Sequence, residues 1–234
     1  MKVRSRLRIL GCTAVFFLML PMARWAAANE LVNGGFETPV LSSGAFITIG
    51  AGGSGEPPGF GWTVPTGNVD VAHLPVTPFV EYTAYEGVQA LDLNGDVAGA
   101  ISQNFATVAG QSYGLFLAYA DNPVAGGVSS ASIAVTDIGS SSVLLSTSIF
   151  HSSSTNSPPN ADWLTAALGF TATGSTTRLL ISSTSADTSA SGGIILDAVD
   201  VHAVPEPMTA TLLTTAIAGL LGFRRCAEMR GNEK

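Results

Sequence analysis

The sequence predicts an all-β fold, a jelly-roll β-sandwich, placed between two terminal targeting segments. Between Asn29 and Val204, segments rich in Val, Ile, Thr, Phe and Tyr alternate with Gly, Ser, Pro and Asn. No stretch in this range sustains the apolar period of a helix. We expect a signal peptide at residues 1–28, one sandwich domain at 29–203 and a separate C-terminal segment at 204–234.

The first 28 residues have the features of a secretory signal helix. An apolar run at Ile9–Leu20 is followed by three small residues at Ala26–Ala28. Small residues at positions −3 and −1 suit signal peptidase, so cleavage is expected before Asn29. The basic residues that precede the apolar run are Lys2, Arg4, Arg6 and Arg8.

Alternating apolar residues mark the expected strands of the domain. The clearest alternation runs from Tyr113 to Tyr119 and ends at the turn signal Asp121-Asn122-Pro123. The last expected strand runs directly into the C-terminal segment. The other expected strands contain Val69–Val71, Ile133–Val135, Leu164–Phe170, Leu179–Ile181 and Ile195–Val201.

Three segments rich in glycine, serine or proline predict long surface loops. They are Gly44–Pro58, Ser152–Asn160 and Ser182–Gly193. We find no internal repeat in the domain.

The exported part is strongly acidic. Of the ten Lys and Arg residues, Arg178 alone lies between Asn29 and Pro207, together with fifteen of the seventeen acidic residues. Such a charge disfavours nucleic acid and acidic polysaccharide as ligands and favours divalent cations or neutral glycans. Both cysteines, Cys12 and Cys226, lie in the terminal segments, so the domain has no disulfide available.

The C-terminal segment combines a proline-rich tether with an apolar run. Val204, Pro205, Glu206 and Pro207 predict an extended tether, because proline lacks the N–H that a strand or helix interior needs. The uncharged run Met208–Phe223 then predicts a transmembrane helix whose N-terminus lies outside the cell. The basic pair that would stay on the cytoplasmic side is Arg224 and Arg225.

This arrangement resembles the PEP-CTERM sorting signal of bacteria that export proteins into a polysaccharide matrix. The resemblance implies that an exosortase-type membrane transpeptidase recognises Pro205-Glu206-Pro207 and removes the helix. It implies a final location at the cell surface or in the extracellular matrix of a biofilm. The tail Cys226–Lys234 is longer and more mixed in charge than the family's usual ending. A plain membrane anchor is the alternative.

The domain itself contains a succession of short motifs. Their order resembles the DUF642 and choice-of-anchor group of galactose-binding-like sandwiches, which are akin to several carbohydrate-binding modules. The motifs are Asn33-Gly34-Gly35-Phe36-Glu37, Gly61-Trp62, Gly87–Leu93, Ile101–Phe105, Ala109–Tyr113, Trp163 and Leu196–Val201.

The same resemblance implies a structural calcium ion. In such sandwiches a glutamate of the first strand and an aspartate of the last strand often share calcium with backbone carbonyls, and the matching residues here are Glu37 and Asp197. Calcium takes six to eight oxygen ligands and accepts mixed carboxylate and carbonyl sets. The alternative is that both residues are solvated strand ends.

A second candidate for calcium is Asp92-Leu93-Asn94-Gly95-Asp96, which has alternate oxygen side chains. An EF-hand loop would close with glutamate at its twelfth position, where this chain has Gln103. A β-turn at Asn94-Gly95 explains the pattern without metal, and we favour the turn.

Glycan binding requires aromatic faces that stack on sugar C–H surfaces and polar groups that orient hydroxyls. Tyr82 and Tyr85, with the neighbouring Glu81 and Glu86, are the candidates for ligand binding. The Gly61-Trp62 pattern is more typical of a core tryptophan.

The exported part carries no motif of a catalytic site. It has no Gly-x-Ser-x-Gly or His-Glu-x-x-His sequence, and His73, His151 and His202 lack metal-ligand spacing. Together with the terminal signals and the resemblance to carbohydrate-binding sandwiches, this predicts a non-enzymatic protein that binds extracellular polysaccharide. A purely structural matrix protein and a polysaccharide-active enzyme are the alternatives.

Overall fold

The computed structural model describes residues 28–77, 81–122, 127–152, 160–185 and 192–205. Over these residues the chain forms ten strands in two antiparallel sheets, which confirms the predicted all-β sandwich. The described part contains no α-helix and one short 3-10 turn.

The strands follow one another along the chain, with the 3-10 turn after the first of them. The strands are β1 (Phe46–Gly50), β2 (Asn68–His73), β3 (Gln89–Asp92), β4 (Ala100–Ala106), β5 (Ser112–Asp121), β6 (Val128–Asp137), β7 (Val143–Ser152), β8 (Leu164–Thr171), β9 (Thr176–Ser183) and β10 (Ile194–Ala203).

The larger sheet has six strands in the order β1-β2-β3-β10-β5-β8, and the smaller has four in the order β4-β9-β6-β7. The last strand, β10, pairs with β3 on one side and β5 on the other. The strand that leads to the C-terminal tether is therefore an interior strand of the larger sheet.

The inner faces of the two sheets enclose one apolar core. Tyr113, Leu115 and Leu117 of β5 are buried in this core, as their alternation predicted. The ring of Tyr113 stacks on Phe170 of β8 with centroids 5.4 Å apart. Trp62 is only 1% exposed, which confirms that it is a core residue.

Side-chain amides hold the N-terminal segment that precedes β1. Asn29 accepts a hydrogen bond from the Val201 N–H at 2.9 Å and donates to the Val199 carbonyl at 3.0 Å. Gln103 of β4 bonds both the N–H and the carbonyl of Val32, at 2.7 and 3.0 Å. Asn29 is the predicted first residue of the exported chain, and its side chain is hydrogen-bonded to β10.

The prediction of one long loop over Gly44–Pro58 is wrong in part, because Phe46–Gly50 forms β1. This strand pairs antiparallel with β2, and Ile49 is fully buried in the core. The glycines on both sides of a five-residue strand obscured its alternation.

The apolar pattern also did not predict β3, β4 and β7 as strands. β7 is one of the two edge strands of the smaller sheet, and only its Ile149 and His151 are buried. The solvent-facing residues of an edge strand need not be apolar, so the period-two signal is weak there. β3 has only four residues, too few for a period-two pattern to stand out.

Most of the terminal predictions lie outside the described residues. Residues 1–27 and 206–234 contain nearly all of the predicted signal peptide, Glu206, Pro207, the predicted transmembrane helix and the pair Arg224-Arg225. Among the described residues, no helix is long and apolar enough to span a membrane.

Candidate functional site

The outer face of the larger sheet is partly covered by the connection between β2 and β3. In its described part, Leu74, Val76 and Tyr82 form a second apolar cluster with Ala90 of β3 and Ile195 of β10. This cluster lies on the opposite side of the sheet from the main core. The connection is thus fixed to the sheet by buried apolar contacts.

The two tyrosines predicted to bind ligand occupy different environments. Tyr82 is 4% exposed, because it packs inside the second cluster. Tyr85 is 44% exposed. Of the two, Tyr85 is the one whose ring is open to solvent, and Tyr82 supports the segment that carries it.

Tyr85 forms what we call the aromatic patch with Phe116 and Trp163. Its ring centroid lies 6.4 Å from that of Phe116 and 6.1 Å from that of Trp163, which it meets edge-on. The indole N–H of Trp163 donates to the Thr83 carbonyl at 3.1 Å. Three elements that are distant in sequence therefore contribute one ring each.

Phe116 and Trp163 were not predicted to bind ligand. A signal for Phe116 was present, because Leu115 and Leu117 face the core and the residue between them must point to the outer face. Trp163 stood out only as a family motif, and no local pattern places it beside Tyr85.

Asp197 fastens the loop that carries Tyr85. Its Oδ2 accepts hydrogen bonds from the backbone N–H groups of Tyr85 and Glu86 at 2.9 and 3.0 Å, and its Oδ1 accepts from Ala198 N–H at 2.7 Å. The side chain is fully buried at an irregularity in β10 between Asp197 and Asp200. Burial, and secondarily the Glu86 charge, raise the pKa of Asp197 to about 7.

Glu37 holds the other end of the same loop. Its Oε1 accepts hydrogen bonds from the N–H groups of Val88 and Gln89 at 2.7 and 2.9 Å. Gly87 between the two anchors has φ of +59°, and a Cβ there would overlap the Glu37 carboxylate. Glu37 and Asp197, the predicted metal pair, therefore hydrogen-bond to the same loop, although they lie far apart in the chain.

These carboxylates have the oxygen donors that calcium prefers. The charges of Asp197 and Glu86 interact, and both carboxylates face Gly35. No group of three His, Cys, Asp or Glu side chains among the described residues has metal-binding geometry, so backbone oxygens and water would have to complete the shell. The donor chemistry fits calcium, and its binding stays a prediction.

A polar pair lies beside the aromatic patch. His202 Nδ1 and Asp200 Oδ1 are hydrogen-bonded at 2.5 Å, and both side chains are partly exposed. Asp200 is paired in register with Phe116 across β10 and β5. The patch is therefore flanked by groups that can exchange hydrogen bonds with a ligand.

The surroundings of the patch carry acidic rather than basic groups. Glu86 follows Tyr85 in the chain, and Asp200 lies next to Phe116. The one Lys or Arg among the described residues is Arg178, which lies on β9 of the smaller sheet. An anionic ligand would find no Lys or Arg in the described residues of this face.

The two-layer fold and the exposed aromatic patch define a β-sandwich domain with a surface suited to binding. The chain belongs to the family described as "Protein of unknown function (DUF642)", whose model matches residues 29–202. This match confirms the DUF642 resemblance. No curated protein matches the chain.

Several solved structures are similar in fold. "Structure of TmCBM61 in complex with beta-1,4-galactotriose" is 18% identical, with a TM-score of 0.44 over 77% of this chain and 100% of that chain. The CBM22-1 xylan-binding domain of Paenibacillus barcinonensis Xyn10C is 14% identical, with a TM-score of 0.42 and the same coverage of 77% and 100%. An arabinose-bound α-L-arabinofuranosidase is 10% identical at 0.42, over 77% of this chain and 27% of that one. These neighbours are carbohydrate-binding modules and a glycoside hydrolase.

Proposed function

We propose that this is an exported, non-enzymatic protein that binds neutral polysaccharide through its aromatic patch. The observation that carries the proposal is the group of Tyr85, Phe116 and Trp163 on the outer face of the larger sheet. Aromatic rings supply the flat apolar faces on which the C–H surfaces of sugars stack. The neighbouring Asp200 and His202 supply the polar contacts that orient hydroxyl groups.

The rigidity of the patch supports a binding role. Phe116 lies on an interior strand, Trp163 is tied to Thr83, and the loop of Tyr85 is fixed by Asp197 and the second apolar cluster. A preformed surface loses little conformational entropy when a ligand binds. The acidic surroundings favour neutral over acidic polysaccharides.

Tyr85→Ala and Trp163→Ala are each expected to weaken polysaccharide binding about tenfold or more, because each removes one stacking surface. The measurement is affinity electrophoresis or calorimetry of the purified protein against a panel of neutral and acidic polysaccharides. Phe150→Ala is the matched control, since Phe150 is a 61% exposed aromatic residue on β7 of the other sheet.

The unfolding temperature of each variant shows whether the sandwich is intact. Equal losses of affinity in the Phe150 and Tyr85 variants would contradict a defined site at the patch. Failure of the wild-type protein to bind any polysaccharide would contradict the proposal and favour a structural matrix protein.

We also propose that calcium stabilises the loop through Glu37 and Asp197. With calcium at about 100 times its dissociation constant, chelation is then expected to lower the unfolding temperature by about 5–10 °C. Glu37→Ala should reduce this shift and lower the number of calcium ions bound per chain by one. Glu56→Ala, at an exposed glutamate outside the loop, is the control. Equal calcium stoichiometry in wild type and the Glu37 variant would remove the ion from this loop.

For localisation, we propose sorting to the cell surface or extracellular matrix by an exosortase-type transpeptidase. The backbone of Val204 is bound to β5 and its preceding turn, through Ser112 at 2.8 Å and Gln111 at 2.6 Å. Pro205 follows directly, so the Pro-Glu-Pro motif starts just after the end of β10. Mass spectrometry of the exported protein should find a chain that ends near this motif. An exported chain that still ends at Lys234 would refute the processing step.

A further inference from the structure

Oxygen-bearing side chains meet on the outer face of the larger sheet where β3 ends. Asp70 and Asp92 lie directly opposite each other on β2 and β3. Because Leu93 faces the core, Asp92 and Asn94 both point to the outer side. We refer to Asp70, Asp92 and Asn94 as the β3-end cluster. The Asn122 amide adds a hydrogen bond to Asp92 Oδ2 at 2.6 Å.

Asn94 is the unusual member of the cluster. Its side chain is 1% exposed, and neither its Oδ1 nor its Nδ2 has a hydrogen-bond partner. Buried amides are nearly always paired in native proteins, so a polar partner is missing from the protein's own atoms. The amide lies over Gly193, where a Cβ would come within 2.6 Å of Oδ1. Ile194 faces the core, so the Cβ position of Gly193 and the Asn94 amide beside it lie on the outer side.

Asp70 contributes a second unpaired oxygen to the cluster. Its Oδ1 is buried without a hydrogen-bond partner, 2.9 Å from where a Cβ on Gly95 would lie. Gly95 is the residue after Asn94, so Asp70 lies against the loop that carries the unpaired Asn94 side chain. Glycine at these places leaves space that any other side chain would fill.

The negative charge in the cluster has no basic partner. The two carboxylates occupy directly opposed positions on adjacent strands, and Asp92 is 8% exposed. The one Lys or Arg of the described residues, Arg178, instead donates to Asn104 on the smaller sheet. A cation from solution would offset these charges, whereas a buried water molecule would supply hydrogen bonds but no charge.

The sequence alone favours a metal-free turn at Asn94-Gly95, but from the buried unpaired oxygens we propose that the β3-end cluster binds one Ca²⁺ ion through the carboxylates of Asp70 and Asp92 and the amide oxygen of Asn94. Carboxylate and amide oxygens without nitrogen or sulfur donors suit a hard divalent cation, and Ca²⁺ accepts irregular sets completed by water. No three acidic or histidine side chains of the described range converge in metal-binding geometry, so the Asn94 oxygen is the necessary third ligand.

This site is distinct from the loop held by Asp197. Asp197 accepts hydrogen bonds from the N–H groups of Tyr85 and Glu86, whereas Asp92 accepts from Asn94 N–H and the Asn122 amide. The two carboxylates therefore hold different segments. The inference is also independent of polysaccharide binding, which involves the aromatic patch.

The test is calorimetric titration of Ca²⁺ into the purified Glu37→Ala protein, which lacks one of the two side-chain ligands of the other proposed calcium site. One Ca²⁺ per chain should still bind, and Ca²⁺ should raise the unfolding temperature. Adding Asp70→Asn should abolish both effects. Because this change removes like-charge repulsion, the unfolding temperature without Ca²⁺ should not fall. Asp137→Asn, at a buried carboxylate of β6, should leave Ca²⁺ binding unchanged.

A second variant tests the site by gain of affinity. Asn94→Asp keeps an oxygen at the same place and adds a negative charge, so it should bind Ca²⁺ more tightly and unfold at a lower temperature without it. The proposal is overturned if the Glu37→Ala protein binds no Ca²⁺, or if Asp70→Asn leaves Ca²⁺ binding intact. It is equally overturned if Asn94→Asp does not increase the affinity.

Discussion

Gly34→Ala is expected to destabilise the protein by about 3 kcal/mol or more. A Cβ at this position would overlap the backbone carbonyl oxygen of Val199. The Val199 N–H also donates to the Gly34 carbonyl at 2.9 Å, so the two backbones are held in contact. Because both partners are main chain, no side-chain rotation can relieve the overlap. Urea denaturation measures the loss of unfolding free energy.

The control for this prediction is Gly139→Ala. A Cβ there would have Asp137 Oδ1 at 3.5 Å as its nearest neighbour, an ordinary contact at a turn. This variant should change the unfolding free energy by about 0.5 kcal/mol or less. Similar denaturation midpoints for wild type and the Gly34 variant would show that the N-terminal segment does not pack on β10 as described.

Gln89→Ala should cost about 3 kcal/mol or more of unfolding free energy. The side chain is fully buried, and its Oε1 accepts a hydrogen bond from Leu41 N–H at 2.6 Å. Its Nε2 donates to the carbonyls of Phe36 and Pro39 at 2.6 and 3.0 Å. Removal leaves one donor and two acceptors without partners, at about 1–3 kcal/mol for each group that stays buried. It also releases the segment that contains Glu37.

Chemical denaturation and limited proteolysis would measure these two consequences. Gln111→Ala is the matched control, because the Gln111 amide makes its two hydrogen bonds in an exposed position. It should lose about 1 kcal/mol or less, since water can replace the lost partner. Equal destabilisation by both changes would contradict the role of Gln89 in holding the N-terminal segment by buried hydrogen bonds.

These two positions explain what the family motifs do in this chain. Gly34 and Glu37 come from one motif, Gln89 from a second and Gln103 from a third. In the structure they join the irregular N-terminal segment to the sheets by close backbone contact and amide hydrogen bonds. Their roles are structural, and they hold in place the part of the domain that carries the aromatic patch.

Part of this organisation was predictable from the sequence. The alternation in β5 identified the buried residues, and the Gly61-Trp62 pattern identified Trp62 as a core residue. Such features depend on neighbouring residues in the chain, so a local pattern suffices to find them.

The candidate site was predictable only in part. Tyr85 was selected from its loop position, but Tyr82 in the same loop is buried against the sheet. Whether a loop tyrosine is exposed depends on which distant segment covers it. Trp163 reaches Tyr85 because β8 and the β2–β3 connection lie on the same side of the sandwich.

By itself, the sequence determined the all-β class, the acidic charge of the sandwich domain and the family, because composition, periodicity and motif order are properties of the chain alone. Tertiary structure decided that β10 lies between β3 and β5, that Glu37 and Asp197 hold one loop, and that Asp70 faces Asp92. These arrangements depend on strand pairing over long separations. Pairing order is set by the burial of whole sheet faces, which no local pattern of residues specifies.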